Sequence, residues 1–155
     1  MSPTLQQDLK QKKPFRSLQH EAYLSVVRTS TSLTDAMEDL VKARGISATQ
    51  YNVLRILRGS GAEGLCRNEL RDRMLTRMPD MTRLLDRMED AGLVVRAREG
   101  DDRRMVMTRI TEKGRQLLDD LDAPVMALHR KQMAGLTDAQ LRSLSDLLTR
   151  VRDAG

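Results

Sequence analysis

Apolar residues recur every three or four positions through Phe15, Leu18, Ala22, Val26, Leu33, Met37, Leu40 and Val41. That period marks one long amphipathic helix, and Gly45 suits the position just past its end. Ser47 with Gln50 three residues later makes a capping box. It opens a second helix carrying Tyr51, Val53, Leu54 and Leu57, which stops at Gly59-Ser60-Gly61. Gly64-Leu65 allows a very short strand, and residues 67–75 read as a third helix with Leu70 and Met74 as its buried pair. A fourth helix follows Met78. Pro79 suits its first position, where the missing N–H costs nothing, and Asp80 complements the positive end of the dipole. Met81, Leu84, Leu85 and Met88 then repeat at i, i+3, i+4, i+7 as a buried stripe, leaving Thr82, Arg83, Asp86 and Arg87 for other faces. Gly92 is the stop.

After Gly92 the period changes to two. Residues 93–98 and 104–110 read as strands, joined by the polar turn Glu99-Gly100-Asp101-Asp102-Arg103. Thr111 caps a fifth helix running to about Gln132, with a kink expected at Pro124. Thr137 and Gln140 form another capping box for a last helix with Leu141, Leu144, Leu148 and Val151 on one stripe. Residues 1–14 are polar, carry Lys10, Lys12 and Lys13, and show no apolar period; they read as a flexible basic arm.

Composition narrows the function. The 155 residues carry 27 Lys+Arg against 22 Asp+Glu. A single Cys excludes a disulfide framework or a cysteine metal cluster, and Cys66, His20 and His129 lie far apart, against zinc or Cys/His catalysis. No apolar run approaches a membrane span or secretory signal, so a cytoplasmic protein without membrane contact is expected. All eleven basic residues between 64 and 109 are Arg, facing nine acids. Arg offers a planar fork suited to phosphates and guanine edges, although a solvated, salt-bridged surface has the same composition.

Order along the chain separates those readings. Two short helices followed by a β-hairpin make a winged helix-turn-helix, in which the second helix enters the major groove of double-stranded DNA and the hairpin lies beside it. The fold expected is mainly α with a small β-hairpin. Apolar stripes on the first and last helices exceed what one subunit of this size covers, favouring a subunit interface over packing within the chain.

Several motifs resemble the MarR family of bacterial transcription regulators. They are Gln50-Tyr51-Asn52-Val53-Leu54, Asn68-Glu69-Leu70, Thr82-Arg83-Leu84-Leu85-Asp86-Arg87-Met88, Gly92-Leu93-Val94, Asp102-Arg103-Arg104 and Ile110-Thr111-Glu112-Lys113-Gly114. The resemblance implies a homodimer whose end helices intertwine, each subunit placing one helix and one wing on a pseudo-palindromic operator. It implies a division into an arm (1–14), a dimerisation helix (15–45), a winged helix-turn-helix (46–110) and C-terminal dimerisation helices (111–155). It also implies a small phenolic or anionic effector. The turn Leu75-Thr76-Arg77-Met78 departs from the family in lacking Gly, Pro79-Asp80 replaces a small hydroxyl pair, and the absence of Trp disfavours urate.

The candidate DNA-binding residues are Pro79, Asp80, Thr82, Arg83, Arg87, Asp102, Arg103 and Arg104. Arg83 and Thr82 are placed to meet bases and phosphates, with a surface salt bridge or local cap as the plainer alternative. Asp80 either caps the helix or accepts from a cytosine, and Arg87 suits a phosphate or an ion pair. Arg104 is the preferred wing residue, steadied by Asp102, with Arg103 as competitor. Arg16, His20 and Tyr23 share one end of the first helix and are candidates for an effector pocket. Cys66 reads as a small semi-buried residue and the methionines as core filling. No catalytic residue, metal site or cofactor is expected. A ligand-responsive repressor leads; a non-specific architectural DNA protein is the alternative, and an enzyme is disfavoured for want of clustered general bases or a phosphate loop.

Overall fold

The computed structural model describes residues 3–98 and 105–155. Along the chain run α1 (Leu5–Asp8), α2 (Leu18–Lys42), α3 (Ala48–Gly59), β1 (Leu65–Cys66), α4 (Arg67–Arg73), α5 (Met81–Asp90), β2 (Val94–Arg98), β3 (Val106–Ile110), α6 (Glu112–Gln132) and α7 (Asp138–Asp153). The caps explain most starts. Ser17 accepts from the His20 N–H, Thr111 from the Gly114 N–H, and the Ser47/Gln50 and Thr137/Gln140 capping boxes close both ways. Each cap satisfies donors that a helix N-terminus otherwise leaves open.

β2 and β3 pair antiparallel with Val94 opposite Ile110 and Arg98 opposite Val106, and β1 adds to the other side of β3 through Leu65 and Thr108. The sheet order is therefore β1-β3-β2. The core sits where α3, α5, α6 and this sheet meet: Val53, Leu54, Leu57, Leu85, Met88, Val94, Leu118 and Leu121 are all essentially sealed from solvent. Burying each such side chain contributes roughly 1.5–3 kcal/mol. Gly114 lets α6 approach the sheet, because a Cβ there would sit 2.6 Å from the Leu93 carbonyl oxygen and 2.8 Å from Ile110.

Three boundaries differ from the sequence reading. The arm expected to be featureless contains the single turn α1, which a Thr4/Gln7 capping box closes locally without any apolar period. The long helix opens at Leu18, after Phe15, since Ser17 supplies the cap. Pro79 lies outside α5 and not at its first turn, because Asp80 is the cap residue and accepts from the Arg83 N–H at 3.0 Å. α6 runs through Pro124 to Gln132, the extent expected, the ring removing the N–H that would meet the Asp120 carbonyl.

Candidate nucleic-acid interface

α4 and α5 form the helix-turn-helix. α4 begins at Cys66, whose backbone N–H donates to Glu69 Oε2 at 2.9 Å; that bond holds the Glu69 carboxyl below its usual range. Leu70 anchors the helix in the core. In α5, Met81, Leu85 and Met88 are buried and Leu84 is half-buried. Their spacing forces Thr82, Arg83, Asp86 and Arg87 outward, and all four are exposed.

The acids interleaved with the arginines are mostly committed elsewhere. Asp80 caps α5, Glu69 caps α4, and Asp86 and Glu89 both accept from Arg96 of β2, the Glu89 contact measuring 3.0 Å. The Arg96 backbone N–H also donates to Glu89 Oε2 at 3.0 Å. Bonding to Arg96 lowers the Glu89 carboxyl, and the pairing raises the Arg96 guanidinium. Arg71, Arg73, Arg77, Arg83 and Arg87 have no carboxylate within ion-pair distance among the described residues. The helix-turn-helix surface thus presents uncommitted guanidinium groups, while Glu69, Asp80, Asp86 and Glu89 are engaged by caps or by Arg96. Thr82 is partly committed, accepting from Arg67 Nη1 at 2.9 Å.

Of the expected DNA residues, the structure brings Thr82, Arg83 and Arg87 together on α5, with Asp80 as its cap and Pro79 just ahead. Asp102, Arg103 and Arg104 lie outside the described residues. Sequence reasoning missed Arg96 and Arg67. The signal for Arg96 was the i, i+3 pair Asp86 and Glu89, turned away from the buried stripe toward the following strand.

The expected pocket residues sit at the start of α2. Arg16 precedes α2, Tyr23 is 66% exposed, and the His20 ring stands edge-on to Phe15 at 6.1 Å with Nδ1 buried and unbonded. None of them lines the largely apolar cavity of about 520 Å³ between α2, α3 and the turn ahead of α5. Its walls include Met37, Tyr51, Asn52, Arg55, Ile56 and Leu75, with His129 of α6 at one side. Among the described residues no cluster of His, Cys, Asp or Glu is suited to hold a metal ion, and no helix is long and apolar enough to cross a membrane.

A helix pair with an exposed basic face, backed by a three-stranded sheet whose hairpin follows it, defines a winged helix-turn-helix DNA-binding protein. The family model described as MarR family matches residues 44–105. The HTH-type transcriptional regulator TtmR of Methylorubrum extorquens (strain PA1) is 31% identical over 138 residues, covering 89% of this chain and 69% of the relative. The HTH-type transcriptional repressor IacR of Pseudomonas putida is 28% identical over 123 residues, covering 79% and 72%. Among solved structures, a MarR transcription factor from Planctomyces limnophilus superimposes with a TM-score of 0.68 at 39% identity, covering 88% of this chain and 98% of that one. The chain belongs to the MarR family of transcription regulators.

Proposed function

We infer that the chain is a cytoplasmic, homodimeric, ligand-responsive repressor that reads a pseudo-palindromic operator, and that it acts by binding and not by catalysis. The observation that carries this reading is α5: one face locked into the core, the other offering Thr82, Arg83 and Arg87 with the competing carboxylates engaged elsewhere. A major groove about 12 Å wide admits such a helix. Arg83, near the start of α5, reads a base edge, Thr82 and Arg87 hold phosphates, and Pro79-Asp80 fix where the helix begins. Arg104, with Arg103 and Asp102 beside it in sequence, is assigned to the wing contact. The repressor direction is supported by the likeness to IacR.

The effector site moves from Arg16, His20 and Tyr23 to the cavity beside α3. Its apolar walls suit an aromatic body, and Arg55 and His129 offer donors to a phenolate or carboxylate. An occupant represses or releases only by binding the two head spacings with different affinity.

The test begins by selecting promoter fragments from fragmented host DNA and measuring competition by random DNA. Arg83→Ala is expected to weaken the selected site by about 1–3 kcal/mol and to relax its sequence preference. Arg104→Ala is expected to weaken all DNA alike and to reduce the salt slope by about one. Random DNA competing as well as the selected fragment would leave an architectural protein instead; both variants binding like the parent at physiological salt would sink the residue assignment.

A further inference from the structure

The turn joining α4 to α5 has little hydrogen bonding of its own. Among the described residues, no backbone group of residues 75–79 bonds to another backbone group. Among the described residues, the one hydrogen bond linking this stretch to another element runs from the Leu75 N–H to Oδ1 of Asn52 on α3, at 2.9 Å. Leu75 is 86% exposed, while Met74 before it and Met78 after it are half-buried against the core, so the stretch that depends on this bond is the short one between them. Asn52 and Leu75 both line the 520 Å³ cavity, and a second hollow lined by Met74, Arg77, Met78 and Pro79 lies against the same turn. The turn is therefore a thin wall, tethered at a point that the cavity itself exposes.

We propose that Asn52 is a positioning residue that pins the turn and so sets where α5 begins, and that filling the cavity releases this pin. The proposal rests on the operator-reading role given above for α5. The mechanism is competition at one atom. An occupant lodged between Asn52 and Leu75 lengthens or replaces the 2.9 Å bond. The Leu75 N–H then turns to water, and Pro79-Asp80 lose the hydrogen-bonded anchor four residues upstream, with the packed Met78 left as the remaining hold on the turn. α5 keeps its buried stripe but no longer its entry angle, which is what a groove-reading helix must hold.

Two arms test it. In the first, amide exchange and operator binding are compared for the parent, Asn52→Ala and Asn52→Asp. The alanine variant is expected to speed exchange at Leu75 by about five- to tenfold, the equivalent of one net hydrogen bond, and to weaken the operator by a similar factor with the salt slope unchanged. Aspartate retains the acceptor and is expected to stay near the parent in both measurements. In the second arm, Thr49→Cys on the cavity wall is placed in a Cys66→Ser background and labelled with benzyl methanethiosulfonate, with mass spectrometry confirming full labelling. The label is expected to reproduce the alanine behaviour when Asn52 is present and to add nothing in the Asn52→Ala chain. Unchanged Leu75 exchange in Asn52→Ala, aspartate as weak as alanine, or a labelled chain that keeps its Leu75 protection would each overturn the proposal. Should the alanine variant fail to fold, the aspartate and label arms decide. If the parent selects no DNA fragment, the operator reading fails while the exchange measurements still judge the tether.

Discussion

At the scale of single residues, what matters on α5 is which charges are free. Arg96 binds the two carboxylates that would otherwise oppose Arg83 and Arg87 on the helix proposed to face DNA. Asp86 is 54% exposed, so the pair is worth only about 0–1 kcal/mol to stability. Its greater effect is on the sign of the surface. Arg96→Gln is expected to lower the melting temperature slightly while weakening the operator about threefold to tenfold, as an uncompensated carboxylate is left near phosphates. Adding Asp86→Asn should recover most of that affinity in a gel shift, although it restores no ion pair. Failure of the double variant to recover would mean that Arg96 acts by holding β2 to α5 and not by neutralising charge.

At the scale of elements, the hydrophobic period located every long helix and both strands of the hairpin, because burial and periodicity are set by the same residues. It erred at ends, where a cap competes with a backbone preference: Asp80 outcompeted Pro79 for the start of α5 because a carboxylate accepting the Arg83 N–H defines the boundary. α1 was invisible since one capped turn has no period to read. The exposed face of α5 was legible because it depends on one element, and the Arg96 network and the cavity beside α3 were not, because each joins side chains of different elements. The joins between elements can be tested the same way. Gly114→Ala forces a methyl against the Leu93 carbonyl and Ile110, with an expected loss of about 1–3 kcal/mol in chemical denaturation. Gly45→Ala, in left-handed backbone but with open space around it, is expected to lose only about 1 kcal/mol. On the other side of the core, Arg58 joins α3 to α6 through Asp122 at 2.7 Å and Asp119 at 3.2 Å, and the hydrogen bond from Arg58 holds the Asp122 carboxyl low. A lowered carboxyl stabilises the fold above the ordinary carboxylate range, and that contribution disappears as pH falls through the lowered value. Arg58→Gln should therefore melt earlier than the parent near about pH 7 and converge with it near about pH 2. A gap between the two curves that stays constant over that range would remove the ion pair as its cause.

At the scale of the whole molecule, the unfinished surface is the clearest feature. α7 is a sixteen-residue helix with an apolar stripe and no buried residue at all. Leu144, Leu147 and Val151 face solvent on it, as do Leu18, Tyr23, Val26 and Val27 on α2. Such a helix is unstable alone, since short helices in water depend on packing an apolar face. The α7 capping box and its Arg150 and Arg152 in the last turn contribute, but they do not replace a partner surface. A second copy of the chain would supply one, and two-fold symmetry would then set two α5 helices to half-sites about one DNA turn apart. Sedimentation is accordingly expected to give a single species of twice the 17.6 kDa chain mass at micromolar concentration. The double variant Leu147→Asp with Val151→Asp should dissociate it, because each carboxylate would be buried without a partner. Operator binding should then fall by about a hundredfold or more, since the second half-site contact ceases to be intramolecular. The heads themselves need not unfold, because the core around Leu54, Leu85 and Leu118 lies within one chain. A variant that remains dimeric, or a monomer that still grips the operator like the parent, would place the subunit contact away from α7.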